Sequence, residues 1–587
     1  MKEFFKNVFA SAFGVVIGLA IIFGIGTYVL IGLVAASAEE SEYKPKSNTV
    51  FKLVLDGEIV DNSTSNPFLE LMGEKEPLAL SNILRSIRLA KENDNIKGIY
   101  IECGNTSSSP ATLSAIRKAL VDFKESGKFI ISYSDSYSQG GYYVASVADS
   151  VFVNPLGGVE LRGLASVGLF YTGLAEKIGV DFHVFKVGTF KGAVEPYFLK
   201  KFSDENREQI SSYQASIWNN LTAEILASRP ITKEELELYV NEGQFFEEGQ
   251  ATVDRKLTDG IRYRSEVENT VKVLAGQDVD DKLRAASVAK MVRIKDKTKV
   301  KDDKIAILYA EGQIMEESTG LSYSTQVISE KMCDELQKLA ADEDVKAVVF
   351  RVNSPGGSAY ISEQIWKKVI ELKEKKPVVV SMGTYAASGG YYISCGANKI
   401  IAEPMTLTGS IGVFGLMANT TGLYDKVGLS ADVVKTNPLA DIGNTTRPMT
   451  EREKALIQAS VERTYDLFIS RCAEGRGMTK EQIDFIGQGR VWTGEQALER
   501  GLVDKLGGID TAIEEAALLA ELGEYSVITY NSKKDFFTEF LESKMEDVQM
   551  RMIKSALGDK FETFKTIYSA TPQTGIQALL PVGIEGI

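Results

Sequence analysis

Ser388 stands in Ala386-Ala387-Ser388-Gly389-Gly390, downstream of a β-branched run that includes Val378, Val379 and Val380. The run reads as a buried strand, and the small residues read as a turn that opens a short helix. A serine at that junction lies where a strand's carboxyl end meets a helix amino end, beside free backbone N–H groups that stabilise negative charge. The chemistry this suits is nucleophilic attack on an acyl carbon. Small residues there would also simply permit tight strand–helix packing, so the rest of the chain has to decide.

A serine nucleophile needs a base, and the chain has one histidine, His183, within an alternating segment (181–187) that reads as a strand. A lone strand histidine is more often structural, so a Ser-His-Asp arrangement is poorly supplied. A lysine can replace it if it is neutral.

The chain contains an internal duplication that points to such a lysine. Gly140-Gly141-Tyr142-Tyr143 falls on Gly389-Gly390-Tyr391-Tyr392 at an offset of 389 − 140 = 249. The same offset pairs Lys97 with Lys346, Pro155 with Pro404, Gly163 with Gly412 and Lys186 with Lys435. In the second copy, strands are expected over 347–352, 377–382, 400–403 and 432–435, and helices over 360–372, 421–427, 451–472 and 493–499, besides the one opened at Ser388. Strands and helices alternating at this pitch imply an α/β fold with a largely parallel sheet in each copy. The expected domains are 50–273 and 304–530, joined by a charged stretch over 274–303.

Positions equivalent by register but chemically different mark a division of labour. Ser388 falls on Gln139, so the first copy has no nucleophile there. Asn353-Ser354-Pro355-Gly356-Gly357-Ser358 has paired glycines, which its counterpart over 104–109 lacks. A Gly-Gly turn after a buried strand either closes a plain tight turn or lets a backbone N–H approach a ligand closely, as an oxyanion hole requires. Conversely, Lys191 of the first copy falls on Ala440 of the second. Buried between the copies and away from carboxylates, that amine would lose its proton readily. Both copies must then pack together to complete one site.

Composition narrows the class. The 587 residues are 44% hydrophobic and 25% charged, enough for a core in each copy. A net charge of −14 argues against a nucleic-acid binder. Cys103, Cys333, Cys395 and Cys472 are scattered, which indicates neither a zinc site nor a dense disulfide framework. Residues 13–38 carry no charge and are long enough to span a bilayer. Lys2 and Lys6 precede them and Glu39, Glu40 and Glu42 follow, which places the N-terminus in the cytoplasm and the bulk outside. Ala36-Ser37-Ala38 resembles a signal-peptidase site, but the apolar stretch exceeds a signal core, which favours an uncleaved anchor. Residues 39–49 read as a linker, and 531–587 as a tail with amphipathic helical spacing over 535–565.

Together these motifs resemble the long, two-domain form of the signal peptide peptidase A family, peptidase family S49. The resemblance runs from the apolar N-terminus through Arg351-Val352-Asn353-Ser354-Pro355-Gly356-Gly357-Ser358, Ala386-Ala387-Ser388-Gly389-Gly390 and Thr408-Gly409-Ser410-Ile411-Gly412, and includes Val187-Gly188-Thr189-Phe190-Lys191-Gly192-Ala193. It implies two tandem Clp-protease/crotonase-like domains behind a transmembrane helix, with Ser388 as nucleophile and Lys191 as general base. It also implies Ser410 as the residue orienting the lysine, and the N–H groups of Gly389 and Gly357 as the oxyanion hole. Gly192 departs from the family pattern, which has a serine after the lysine. The function implied is a membrane-anchored serine endopeptidase of the bacterial inner membrane, with its catalytic domains periplasmic. It would degrade released signal peptides and other apolar peptides as a homotetramer, with no metal or other cofactor and no nucleic-acid partner. Two rivals are a crotonase-like acyl-thioester enzyme and a non-catalytic membrane scaffold of the same fold.

Overall fold

Among the described residues, apolar β-branched runs build a largely parallel sheet in each copy, and a third, six-stranded sheet takes strands from both. The computed structural model describes residues 42–62, 77–295, 301–316, 327–530 and 576–579. The expected anchor at 13–38 and the expected amphipathic helix at 535–565 lie outside the described residues. Among the described residues no helix is long and apolar enough to cross a membrane.

In the first copy, strands β1 (Thr49–Val60), β2 (Ile96–Ser107), β3 (Phe129–Ser134) and β4 (Ser150–Val153) lie parallel, side by side. Helices α1 (Leu80–Glu92), α2 (Pro110–Lys124) and α3 (Gln139–Ala145) connect them. Helix α4 (Thr172–Ile178) and strand β5 (Asp181–Val187) follow, then the long α5 (Asp204–Ser228). The second copy opens with β6 (Lys304–Glu311) and β7 (Gln313–Ile314), and continues with β8 (Val345–Ser354), β9 (Gly356–Ser358) and α6 (Ala359–Lys373). It proceeds through β10 (Val378–Ala387), α7 (Gly389–Ser394), β11 (Lys399–Ala402), β12 (Leu407–Gly409) and β13 (Val413–Asn419). Helices α8 (Thr421–Val427) and α9 (Glu451–Arg476), then β14 (Val491–Thr493) and β15 (Ser526–Tyr530), complete it. The last described element is β16 (Ile576–Leu579).

The duplication is visible in the helices: α6 begins and ends 249 residues after α2, since 359 − 110 and 373 − 124 both equal 249. The central strands are buried on both faces, as parallel sheets covered by helices require, with Val378, Val379 and Val380 fully buried. One expectation fails. Residues 432–435 are irregular and exposed, with Val434 98% exposed, although their counterparts in β5 form a strand. The reason is tertiary. β5 of the first copy lies antiparallel on β13 of the second, Val187 opposite Val413 through Asp181 opposite Asn419. With that edge occupied across the copies, 432–435 has no ladder to join.

The copies are fastened in two further ways. Met405, Leu407 and Val491 of the second copy belong to the first copy's hydrophobic core. Arg351 on β8 makes a two-pronged bond to Asp61 just after β1, at 2.6 and 2.7 Å, and its remaining donors reach Ser381 Oγ and the Met382 carbonyl at 2.9 and 2.8 Å. Both partners are buried, at 6% and 4% side-chain exposure. A bidentate buried pair with four of the five guanidinium donors engaged is costly to break from one side. Glu311 lies beside it, accepting the Asp61 N–H at 3.3 Å, and burial together with the nearby Asp61 charge pushes its carboxyl up to about 7.

Two outcomes follow for thermal unfolding. Asp61→Ala should destabilise by about 3–5 kcal/mol by stranding the guanidinium, and adding Arg351→Met should recover part of that loss. Because the folded chain holds the Glu311 proton more tightly than the unfolded chain, stability should fall as pH rises from about 4.5 to about 7. Glu311→Gln should flatten that fall.

Candidate active site

β10 delivers Ser388 to the end of its strand, and α7 starts at the next residue. Ser388 caps α7 with φ +57 and ψ −113, a conformation that L residues rarely adopt outside functional turns. Its N–H is tied to the Gly409 carbonyl at 2.8 Å, which fixes the turn against β12. The hydroxyl is thereby held at the helix amino end, where the first N–H groups of α7 have no intrahelical acceptor.

Lys191 reaches this hydroxyl from the other copy. Its Nζ lies 2.8 Å from Ser388 Oγ, bridging a sequence separation of 197 residues. The amine also donates to Ser410 Oγ at 3.1 Å and to the Ser410 carbonyl at 3.2 Å. Lys191 is fully buried, and burial lowers its proton affinity well below the usual lysine value of 10.5. All three acceptors are hydroxyl or carbonyl oxygens, none of which compensates an ammonium as a carboxylate would. Ser410 also has positive φ, at +49, and its N–H donates to the Arg490 carbonyl at 2.7 Å.

The loop that presents Lys191 is held by polar side chains that the sequence did not single out. Gln209 on α5 donates to the Phe190 carbonyl at 2.8 Å and accepts the Val491 N–H at 3.0 Å, clamping the lysine loop to β14 of the second copy. Asn206 supports Gln209 at 2.8 Å and is itself bonded to Glu195 at 2.8 Å. This network explains the departure at Gly192, because a Cβ there would run into the Asn206 side-chain amide. Gly489 is needed for a similar reason: a Cβ on it would lie 2.7–2.8 Å from the Lys191 backbone and Cβ.

Gly357 sits across from the helix. It has φ +152, and a Cβ would overlap the Ile314 carbonyl oxygen, so only glycine fits where β7 meets β9. Its nitrogen lies 3.1 Å from where a Cβ on Gly389 would be, so the two glycines face one another across a narrow gap beside Ser388.

The equivalent positions in the opposite copies hold neither a serine nor a lysine. Gln139 accepts the N–H groups of Arg162 and Gly163, each at 3.0 Å, so its side chain closes its own loop. Ala440 lies in an exposed turn. His183 stands on β5 opposite Met417 and is not among the hydrogen-bond partners of Ser388 or Lys191. The four cysteines are free thiols, three of them buried.

The chain is also similar to known proteases over most of its length. The family model for peptidase family S49 matches residues 122–278 and 370–523, and that for Clp protease matches 296–407. The chain is 35% identical over 555 residues to Protease 4 of Salmonella typhi, covering 90% of this chain and 87% of the relative. It is 33% identical over 528 residues to Protease 4 of Haemophilus influenzae, covering 86% and 83%. With the chloroplastic serine protease SPPA of Arabidopsis thaliana it shares 31% identity over 482 residues, covering 81% and 70%. With a Clp-protease-like α/β fold present in two copies, the chain belongs to peptidase family S49, in its long two-domain form, and is a serine protease.

Proposed function

We propose that this serine protease is a membrane-anchored endopeptidase that works through a Ser388–Lys191 dyad and degrades signal peptides after their release. One observation carries the reading: a fully buried lysine amine 2.8 Å from the hydroxyl of a strained serine at a helix amino end. The neutral amine takes the Ser388 proton as Oγ attacks the scissile carbonyl, and Ser410 holds the amine in line. Charge developing on the carbonyl oxygen faces the N–H groups of Gly389 and Gly357. The lysine returns the proton to the leaving amine, and water then releases the acyl group by the same steps in reverse order. A crotonase-like thioester enzyme would use the same oxyanion donors but would leave the Ser388–Lys191 contact without a role.

The membrane setting rests on the uncharged stretch at 13–38, which brings the catalytic domains to the outer side of the inner membrane, where released signal peptides remain. Assembly as a homotetramer fits the apolar side chains left exposed around α4 and α8, among them Leu169 at 67%, Val427 at 61% and Leu429 at 57%.

Hydrolysis of a short apolar peptide by the purified chain tests the dyad. Ser388→Ala and Lys191→Ala should each lower kcat by about 10^4- to 10^6-fold without loss of fold. Ser410→Ala should cost up to about 10^2-fold through misplacement of the amine. Substantial turnover by Ser388→Ala would remove the assignment.

The pH profile tests the base. Activity should rise with pH as Lys191 loses its proton and should level off well below pH 10.5. Stability should rise over the same window, because the folded chain releases this proton before the unfolded chain does. Lys191→Met should abolish that rise in stability, which circular dichroism melting can follow.

A further inference from the structure

Two polar residues on the buried face of α5 are not accounted for by packing. Ile210, Tyr213, Ile217, Leu221 and Ile225 line that face, yet Asn206 and Gln209 at its start are buried as deeply, at 1% and 0% exposure. A buried primary amide is unfavourable unless its donors and its acceptor are met. Gln209 Nε2 donates to the Phe190 carbonyl and to Asn206 Oδ1, both at 2.8 Å, and its Oε1 accepts the Val491 N–H at 3.0 Å. Asn206 Nδ2 in turn donates at 2.8 Å to Glu195, itself only 2% exposed.

These bonds join the two peptide groups on which the base depends. The Phe190 carbonyl belongs to the peptide group that leads into Lys191. The Val491 N–H belongs to the peptide group shared with Arg490, whose carbonyl accepts the Ser410 N–H at 2.7 Å. One side-chain amide therefore spans from the backbone of the lysine to the turn of the serine that its amine reaches. Neighbouring residues brace the same span. Gln488 accepts the Phe190 N–H at 2.9 Å, the Gly489 N–H donates to the Ile411 carbonyl at 2.7 Å, and the Arg490 guanidinium lies 4.6 Å from the centre of the Phe190 ring. The charged groups beside the loop are engaged elsewhere: Glu195 accepts from Ser203 and Asn206, and Arg490 pairs with Glu208.

We infer that Gln209 is a positioning residue for the base: it locks the Lys191 backbone to the Ser410 turn across the boundary between the copies, and so fixes where the amine stands between Ser410 and Ser388. The inference rests on the proposed Ser388–Lys191 dyad and adds the element that keeps its two halves in register. A displacement of about 1 Å at the amine is enough to cost about 10^2-fold in rate. It also opens the closed surroundings of Nζ, and an amine reached by water keeps its proton to higher pH.

The test uses the full chain with two substitutions. Gln209→Met keeps the length of the side chain and removes both bonds to the loop and to Val491. Gln209→Glu keeps the acceptor for Val491 and sets a carboxylate beside the lysine loop. Asn220→Ala is the control, because it cuts another bond from α5 to the second copy, to Glu495 at 2.8 Å, about three turns further along the helix. With a short apolar peptide as substrate and rates expressed per folded molecule, Gln209→Met should lower kcat by about 10- to 100-fold and leave KM within about twofold. Both Gln209 variants should move the pH midpoint of kcat upward, Gln209→Glu by about one pH unit or more, because a nearby carboxylate favours the ammonium. Asn220→Ala should leave kcat and midpoint in place. The inference is overturned if Gln209→Met keeps the unsubstituted chain's kcat and midpoint, if the loss of rate matches the unfolded fraction alone, or if Asn220→Ala shifts the profile equally. Full turnover by Lys191→Ala would refute the dyad instead. The Lys191 amine is then titrated in Ser388→Ala chains with and without Gln209→Glu, followed by carbon-13 at lysine Cε: a higher midpoint with Gln209→Glu keeps the positioning role, and an unchanged one overturns it.

Discussion

The arrangement depends on burying one amine where nothing compensates its charge. An ammonium group moved out of water without a carboxylate partner is strongly disfavoured, and the group answers by giving up its proton. Lys191 meets that condition with only hydroxyl and carbonyl oxygens around its Nζ. The features around it serve to keep the cavity closed. Gly489 yields the space the lysine loop occupies, Gln209 ties that loop to β14, and the pairing of β5 with β13 brings the two copies edge to edge. The buried Arg351–Asp61 bond fastens the copies at a second point, so the burial does not depend on one contact.

The duplication gives this burial a simple origin. Two copies of one fold, set against each other, create a boundary that neither has alone, and each brings one of the two side chains that meet there. The second copy retains the serine turn, with its strained φ and its paired glycines. The first retains the lysine loop, and the position matching the serine holds Gln139, whose side chain seals a loop. In the second copy the position matching the lysine has become an exposed turn around Ala440. A mutation on either side of the boundary can therefore silence a residue that belongs to the other.

Much of this was legible in the chain itself. The valines of β10 followed by small residues announce a strand–turn–helix, and the constant offset of 249 between the copies turns one recognised element into two. The same register sets Lys191 apart, because a lysine matched by alanine, opposite a serine matched by glutamine, forms a complementary pattern that surface charge does not explain. What escaped is what only tertiary contact decides. Residues 432–435 have strand-like composition but no free edge to join. Asn206 and Gln209 look like ordinary polar positions on a helix until Phe190 and Val491 are brought beside them. The four residues of β16 are too few to show a period, and their edges come from segments more than 150 residues away.

The state of the Lys191 amine can be read directly. In the chain labelled with carbon-13 at lysine Cε, one resonance should be missing from Lys191→Met, and its chemical shift should titrate well below the usual lysine value of 10.5. If that resonance instead moves together with the surface lysines, the amine is charged at working pH, and a lysine base for Ser388 is contradicted.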